Sequence, residues 1–317
     1  MNSKIFIAGH NGMVGSSIMR TLEQSNHNII TVSRRELNLE CADNVNHFFR
    51  REKFDLVINA AAKVGGILAN NEFPYDFLMK NMKIQNNLIE ASIKNNVNRY
   101  IFLGSSCIYP KFAPQPLKEE CLLSGSLEPT NQWYAIAKIS GIMACQAAKR
   151  QFGLNAVSLM PTNLYGENDN FDLKSSHVLP AMIRKFDDAK ENNHECVTLW
   201  GTGAPYREFL NVDDLAKAVV FCIENELKDE IYNVGYGSDI SIRNLAILIQ
   251  EIVGHKGDII WDNSKPDGTP RKLLYSERIR NLGWKPEIKL SEGIKMTVSD
   301  FMKNNTLIGR DPPREQP

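Results

Sequence analysis

The chain begins with a short apolar run followed by regularly spaced glycines, Ile5-Phe6-Ile7-Ala8-Gly9-His10-Asn11-Gly12-Met13-Val14-Gly15. The apolar run favours a β-strand, and a helical pattern continues from the last glycine through Leu22. Glycine permits positive φ and lets the backbone approach an anion closely, while the N-terminus of the helix attracts that anion. The spacing G-x-x-G-x-x-G between strand and helix therefore predicts a dinucleotide-binding turn rather than an ordinary glycine-rich turn.

The second apolar run, residues 28–32, ends at Ser33-Arg34-Arg35-Glu36. An acidic residue at this place would hold the ribose 2′-OH of NAD, whereas an arginine can bind the 2′-phosphate of NADP. The two arginines therefore favour NADP, and Arg34 is the better candidate because it is nearer the strand end. The alternative is a solvated loop with incidental charge.

Apolar runs alternate with helical patterns through the first half of the chain. The pattern predicts strands at 4–8, 28–32, 55–59, 99–103 and 155–160, and helices at 12–25, 42–52, 75–95 and 132–152. Repeated strand and helix units are typical of an α/β protein with a Rossmann-type doubly wound parallel sheet, covered by helices on both faces.

The pattern changes near Pro161, where a loop rich in Asn, Asp and Ser begins. Beyond it we predict helices at 178–190, 213–226 (capped by Asp213), 241–253 and 291–304, and strands at 196–200, 231–234 and 257–261. These elements predict a smaller mixed α/β substrate-binding lobe. The expected division is 1–162 with about 205–230 for the NADP-binding domain, 163–204 with 231–305 for the second lobe, and a disordered tail at 306–317.

Composition excludes several classes of protein. The 37 basic and 37 acidic residues give zero net charge, which argues against binding to nucleic acid or an anionic membrane. We see no apolar stretch of membrane-spanning length and no signal peptide. The six cysteines lack metal-ligand spacing, so we expect reduced thiols in a cytoplasmic protein without a metal. Cys145 and Cys222 lie in apolar helical patterns and are predicted to be buried.

Two segments near the middle of the chain carry groups for proton transfer, residues 104–110 and 134–138. Tyr134 and Lys138 are four residues apart, so a helix places both on one face, where the ammonium could lower the phenol pKa. Ser105 could bond the same substrate oxygen, and Cys107 adds a thiol that could act as an acid or base. Together these residue types suggest hydride transfer at a carbonyl with proton abstraction beside it. Taken alone, a Tyr-x-x-x-Lys pair or a free cysteine is often structural.

The chain resembles the extended short-chain dehydrogenases/reductases and, within them, the family of GDP-L-fucose synthases, which act as GDP-4-keto-6-deoxymannose 3,5-epimerases/4-reductases. The resemblance covers residue 1 to about residue 303 and is carried by the glycine turn and by runs at 60–67, 104–110, 134–138, 160–166 and 265–272. It implies NADP(H) as cofactor, GDP-4-keto-6-deoxymannose as substrate, no metal, and a homodimer in which the helices at 75–95 and 132–152 form the seam.

The resemblance also implies roles for individual residues. The reductase group is Ser105, Tyr134 and Lys138, while Cys107 and His177 are the epimerase base and acid. The implied cofactor contacts are Gly9, Asn11, Gly12, Met13, Val14, Gly15, Arg34, Leu103, Gly104, Lys138, Pro161, Thr162, Asn163, Leu164 and His177. The implied contacts with the GDP-sugar are Lys185, Trp200, Arg207 and Asp267.

Three positions depart from the family pattern. Asn11 stands where arginine is common, Trp133 stands where proline often precedes the tyrosine, and Lys185 replaces a frequent arginine, giving a point charge in place of a fork. These departures bear on binding affinity more than on the proton-transfer groups.

Two other functions stay open: a related GDP-sugar enzyme such as a GDP-L-colitose synthase, and an NADP sensor without catalysis. Cys107 argues against a dehydratase, which would carry an Asp-Glu pair there.

Overall fold

The computed structural model of the protein describes residues 2–265 and 267–308. In chain order the strands are β1 (Lys4–Ala8), β2 (Asn28–Ile30), β3 (Leu56–Asn59), β4 (Arg99–Leu103), β5 (Asn155–Pro161), β6 (Asn163–Tyr165), β7 (Cys196–Trp200), β8 (Tyr206–Asn211), β9 (Ile231–Val234), β10 (Asp239–Ser241), β11 (Asp258–Asp262) and β12 (Arg271–Lys272). The helices are α1 (Met13–Leu22), α2 (Ala42–Glu52), α3 (Ile67–Glu72), α4 (Pro74–Lys94), α5 (Gln132–Phe152), α6 (Val178–Glu191), α7 (Val212–Glu224), α8 (Ile242–Val253), α9 (Glu277–Asn281) and α10 (Leu290–Ile308).

The first half forms the predicted doubly wound α/β fold. Within the described residues, six parallel strands form one sheet in the order β2-β1-β3-β4-β5-β9. Both faces of this sheet are apolar because parallel strands alternate their side chains between two helical layers. Phe6 and Tyr100 enter the core beneath α2, α4 and α5, whereas Ile7 and Ile101 enter the core beneath α1 and α7.

The second lobe is mixed, as predicted. Strand β8 pairs with β10 in antiparallel fashion and with β12 and β6 in parallel fashion, while β7 and β11 form a separate parallel pair. Helices α6, α8 and α10 share an apolar core that includes Phe186, Ile249 and Phe301. Strand β8 joins the two cores, since Phe209 packs in this one and Leu210 packs in a core of the large sheet.

Four details differ from the sequence predictions. Strand β9 is the sixth strand of the large sheet, and β8 lies in the second sheet, although we assigned these segments the other way round. Asn211 rather than Asp213 caps α7, because the Asn211 side chain accepts the backbone N–H of residue 213 at 2.9 Å. Asp213 instead accepts from Ser17 Oγ at 2.6 Å. Helix α10 continues to residue 308, into the predicted tail; the rest of that tail, 309–317, lies outside the described residues.

The predictions for the cysteines can be compared directly with the structure. Cys145 and Cys222 are buried in the two cores, as predicted, and all six cysteines are free. Within residues 2–265 and 267–308 no group of His, Cys, Asp and Glu could hold a metal ion. No helix in the same ranges is long and apolar enough to cross a membrane.

Candidate active site

The glycine turn lies at the point where the large sheet changes direction. Strands β2 and β3 flank β1 on opposite sides, so the loops that follow β1 and β3 separate and leave a crevice at their carboxyl ends. Gly9, with φ of 86°, approaches this crevice so closely that a Cβ would lie 2.7 Å from the backbone of Ala61. A Cβ on Gly15 would lie 2.2 Å from the Gly9 carbonyl oxygen. The turn therefore needs glycine at both positions.

The start of α1 fits a phosphate-bearing cofactor. Its N-cap, Gly12, offers no side chain to the first backbone N–H groups, and its first turn carries no acidic residue. Unsatisfied N–H groups and the helix dipole attract an anion at such a position. Met13 and Val14 begin the helix, and Asn11 is exposed beside them. The backbone thus suits the pyrophosphate of a dinucleotide.

Arg34 lies in the loop that follows β2, as the sequence suggested. Its side chain is exposed and forms an ion pair with Glu40 at 3.2 Å. Glu36, the acidic residue that could have held a ribose hydroxyl, instead accepts Ser33 Oγ at 2.7 Å. Arg34 therefore remains the candidate for a 2′-phosphate, which would have to share the guanidinium with Glu40.

The reductase and epimerase candidates meet at the end of β4. The chain leaves β4 through Gly104, and Ser105 then caps a short 3-10 turn, its hydroxyl accepting the Cys107 N–H at 3.3 Å. This turn packs against α5, which carries Tyr134 and Lys138. Ser105 and Tyr134 are half-buried, whereas Cys107 and Lys138 are buried. The four side chains are therefore brought together in the fold.

Close packing of α5 sets the position of the lysine. A Cβ on Gly141 would lie 2.4 Å from the ring of Phe102 in β4, so glycine lets the helix approach the sheet. Lys138, one turn earlier, then reaches the Leu103 carbonyl oxygen with its ammonium at 2.7 Å and lies 5.8 Å from the Tyr134 ring centroid. This places the ammonium and the phenol on one face, at the end of β4.

The predicted direction of the tyrosine pKa shift is wrong in this structure. Burial raises the pKa of Tyr134 well above its usual range, and the nearby Cys107 raises the pKa further. Burial also lowers the pKa of Lys138 to about 8. The largest cause of both shifts is desolvation, which opposes the charged form of each group.

The surroundings of Cys107 act on the pKa of its thiol in opposite directions. Burial raises the pKa of its thiol, while Lys272, the Ser105 hydroxyl and Lys138 lower the pKa, in that order of strength. His177, the other predicted epimerase group, is the N-cap residue of α6 and is exposed. The surrounding protein lowers the pKa of His177, and the charge of Lys272 lowers the pKa further.

The segment after β5 links the cofactor side to the second lobe. Pro161 ends β5, and Leu164 lies in β6, which pairs with β8. Thr162 Oγ1 and Asn163 Nδ2 both donate to the Glu208 carbonyl oxygen, at 3.2 and 2.7 Å. The predicted cofactor residues of this segment are thus held in place by β8.

The predicted GDP-sugar residues lie in the second lobe. Lys185 on α6 donates to the Thr198 carbonyl oxygen of β7 at 2.9 Å, and Trp200 ends that strand with 53% of its surface exposed. Asp267 holds the next turn, accepting the N–H and hydroxyl of Thr202, each at 2.8 Å. Lys185, Trp200 and Asp267 therefore lie near β7, whereas Arg207 lies on β8.

Arg207 does not form the structural ion pair that its neighbour Glu208 could have provided. Its guanidinium donates to the Tyr206 carbonyl oxygen at 2.8 Å, while Glu208 accepts the N–H groups of Gly237 and Leu274, at 2.6 and 3.0 Å. Burial lowers the pKa of Arg207. A half-buried guanidinium of this kind suits a diphosphate.

Three charged residues near these groups were not given roles by the sequence: Glu128, Glu208 and Lys272. Glu128 and Lys272 line one narrow cavity with Cys107. Glu208 is fully buried and connects β8 to the segments at 235–237 and 274. Lys272 was visible only as one cation in the run 265–272, and nothing in its spacing indicated Cys107 as a neighbour.

Comparison with known proteins adds to this geometry. The profile of the NAD dependent epimerase/dehydratase family matches residues 5–235. The chain is 53% identical to GDP-L-fucose synthase 1 of Arabidopsis thaliana over 304 residues, covering 96% of this chain and 94% of that protein. It is 38% identical to the GDP-L-colitose synthase of Yersinia pseudotuberculosis over 306 residues, covering 95% of this chain and 99% of that protein.

A solved structure shares the fold throughout. MlghC, a GDP-mannoheptose C4 reductase from Campylobacter jejuni with NADP bound, superimposes with a TM-score of 0.86 at 36% sequence identity. The match covers 95% of this chain and 98% of that chain.

Proposed function

This chain belongs to the NAD dependent epimerase/dehydratase family, and we propose that it converts GDP-4-keto-6-deoxymannose to GDP-L-fucose with NADPH as the reductant. The reaction inverts C3 and C5 of the sugar and reduces the ketone at C4. One observation carries the proposal: the turn and helix that hold Ser105, Tyr134 and Lys138 also hold the Cys107 thiol. Groups suited to both reactions thus lie on one turn and one helix that pack on each other, which supports the proposal.

The cofactor side supports NADPH, which when bound supplies the hydride that reduces C4. The glycine turn and the start of α1 would hold the pyrophosphate, and Arg34 would hold the 2′-phosphate. Gly104 and the segment 161–164 would border the nicotinamide half, beside the ammonium of Lys138. NADP is bound in the MlghC structure, which agrees with this assignment.

In the reduction, Tyr134 donates a proton to the C4 oxygen. The raised pKa of Tyr134 keeps the phenol protonated and ready to donate. Ser105 hydrogen-bonds the same oxygen, and the Lys138 ammonium favours the phenolate that forms after the transfer. The loss of positive charge at Lys138 would remove this stabilisation.

In the epimerisation, the C4 ketone acidifies the protons at C3 and C5. Cys107, as thiolate, removes a proton, and the charge of the resulting enolate rests on the oxygen that Tyr134 and Ser105 hydrogen-bond. His177 returns a proton on the opposite face of the ring, which inverts the centre. The proposal needs the thiolate form of Cys107, which burial disfavours and neighbouring cations favour.

The GDP portion would occupy the second lobe. Trp200 offers an exposed ring for a base, and Arg207 and Lys185 offer charge for the diphosphate. Asp267, close to Thr202, would contact the nucleoside in addition to holding its own turn. These assignments follow the family resemblance and fit the position of each group.

The family also suggests a homodimer, and the surface of α5 supports one. Helices α4 and α5 pack on each other, and Trp133, Ile136 and Met143 are 40, 39 and 44% exposed along α5. Ala147 on the same helix is exposed, whereas Ala148 faces the core. Met143→Glu should convert the dimer to a monomer in sedimentation experiments.

The cytoplasmic location stays a prediction from the cysteine pattern.

The decisive experiment incubates the purified protein with NADPH and GDP-4-keto-6-deoxymannose and identifies the sugar by NMR. We expect NADPH to be consumed and GDP-L-fucose to form. A product that keeps its C3 and C5 configuration would make the protein a plain 4-reductase. A preference for the 3-deoxy ketosugar would favour the colitose-type function. No oxidation with either substrate would favour a sensor.

A further inference from the structure

Among the groups that lower the pKa of the Cys107 thiol, the one with the largest effect comes from the second lobe. Lys272, in β12, lines the same cavity as Cys107, and this cavity of about 10 Å³ has room for about one water molecule. Cys107 and Lys272 therefore face a common cavity. Lys272 is half-buried, and among residues 2–265 and 267–308 no carboxylate forms an ion pair with its ammonium.

The strand pairing explains why this ammonium faces the cleft. Lys272 is opposite Arg207 in the parallel register of β12 and β8, so both side chains lie on one face of that pair. Arg271, the preceding residue, also lines the cavity, but its guanidinium pairs with Asp239 at 2.5 Å. One cation of the strand is thus neutralised by a carboxylate, whereas the Lys272 ammonium is left without such an ion pair among the described residues.

We propose that Lys272 is a positioning residue for the epimerisation: its ammonium faces Cys107 from the second lobe and stabilises the thiolate that removes the proton. The inference rests on the proposed function, because it assigns Lys272 to the acid–base step of that reaction. It adds a residue outside the Ser-Tyr-Lys group and explains how a buried thiol could serve as a base.

The charges around both partners are consistent with this role. Cys107 is faced by Lys138 and Tyr134 from α5 and by Ser105 from its own turn, and Lys272 has the largest pKa-lowering effect among them. Lys272 is faced by Arg207 from β8 and by Glu128 from the loop before α5. The same charge disfavours the imidazolium form of His177, so the proposed benefit of Lys272 concerns the base, Cys107, alone.

Arg207 and Glu128 act on the Lys272 ammonium in opposite directions. Burial is the main cause that lowers the pKa of Lys272, and Arg207 lowers it further, while the Cys107 thiolate and, less strongly, Glu128 raise it. Glu128 is itself held by Lys111 at 2.9 Å, so its charge is shared. The thiolate is therefore a natural counter-charge for Lys272.

The test measures ionisation of Cys107 directly, without substrate. Full-length wild type, Lys272→Met, Lys272→Gln and Lys272→Arg are alkylated with iodoacetamide across a pH series, and mass spectrometry follows the peptide that contains Cys107. Only the thiolate reacts, so the rate rises with pH through the thiol pKa. The matched control is Arg271→Met, which removes the paired cation of the same strand.

We expect the Met and Gln variants to react about tenfold more slowly below the thiol midpoint, which corresponds to a shift of roughly one pKa unit. Lys272→Arg and Arg271→Met should keep the wild-type profile. Profiles of folded Met and Gln variants that coincide with wild type would overturn the proposal. Two neutral variants guard against the loss of fold in one, with folding checked by circular dichroism.

Substrate experiments separate this proposal from the proposed function. If Cys107→Ser still inverts C3 and C5, the proposed role of the thiol fails, whatever the alkylation profiles show. If Cys107→Ser abolishes inversion and the profiles do not shift, the function stands and the role of Lys272 fails. If the roles of Cys107 and Lys272 both hold, Lys272→Met should move the pH profile of deuterium exchange at C3 and C5 to higher pH. Lys272→Arg should restore the wild-type profile.

Discussion

The glycine turn and the acid–base cleft are built in different ways. In the turn, the groups that would bind the cofactor are backbone atoms of consecutive residues, and close contacts such as that between Gly9 and Gly15 fix their geometry. In the cleft, side chains from β4, α5, α6 and β12 converge, and their protonation depends on mutual burial and charge. The comparison teaches that binding here is a property of local sequence, whereas acid–base chemistry is a property of the assembled fold.

The largest expected effect divides the two reactions within the cleft. Tyr134→Phe removes the proton donor of the reduction, so NADPH oxidation should fall by about 10²–10⁴-fold. Deuterium exchange at C3 and C5, measured by NMR in D₂O with NADP⁺, should also fall, because one hydrogen bond to the enolate oxygen is lost, but it should fall less, because Ser105, Cys107 and His177 remain. Equal losses in both assays would show that the two reactions are not separable in this way.

The pH dependence of the rates should also separate epimerisation from reduction. Since burial raises the pKa of Cys107, exchange should increase with pH, roughly tenfold per unit below that pKa. The pKa of Lys138 is about 8, so its ammonium is lost above this pH and reduction should decline there. Parallel pH profiles for exchange and reduction would contradict the assignment of different groups to the two steps.

A smaller effect tests the turn itself. Gly15→Ala places a Cβ 2.2 Å from the Gly9 oxygen. The strain should lower the free energy of unfolding by about 1–3 kcal/mol and weaken NADPH binding. Gly12→Ala is the matched control for stability, because its Cβ would lie 3.5 Å from the same oxygen, an ordinary contact. Urea unfolding measures both variants, and equal stabilities would contradict the proposed packing.

The smallest effect concerns the helix that follows β8. Asn211→Ala removes the side chain that caps α7 and should reduce the free energy of unfolding by about 1 kcal/mol. Asn211→Asp keeps a capping oxygen and should retain most of the stability. An alanine variant as stable as wild type in thermal unfolding would show that the cap contributes nothing.

The sequence could predict the parts of the fold that rest on local pattern. Strand β1, the glycine turn and α1 follow from apolar runs and glycine spacing, and the long helices follow from periodicity. The pairing of short strands could not be predicted, because nothing in residues 231–234 or 206–211 specifies which sheet they join. The cap of α7 was misplaced by two residues for a similar reason, since Asn211 and Asp213 are both good caps.

The candidate site shows the same limit. The spacing of Tyr134 and Lys138 correctly placed both on one face, yet it could not predict their burial, which reverses the expected shift of the tyrosine pKa. Lys272 and Cys107 are far apart in sequence, and only the folded chain brings them to one cavity. Protonation states thus depend on contacts that spacing alone does not encode.

The central claim is that one cleft holds separate groups for epimerisation and reduction. The most direct measurement is deuterium incorporation at C3 and C5 of GDP-4-keto-6-deoxymannose by Cys107→Ser, followed by NMR beside NADPH oxidation by the same variant. We predict that exchange falls by about 10²–10⁴-fold while the ketone is still reduced without inversion. Full exchange by the serine variant, or loss of both activities in a folded protein that binds NADPH, would contradict the account.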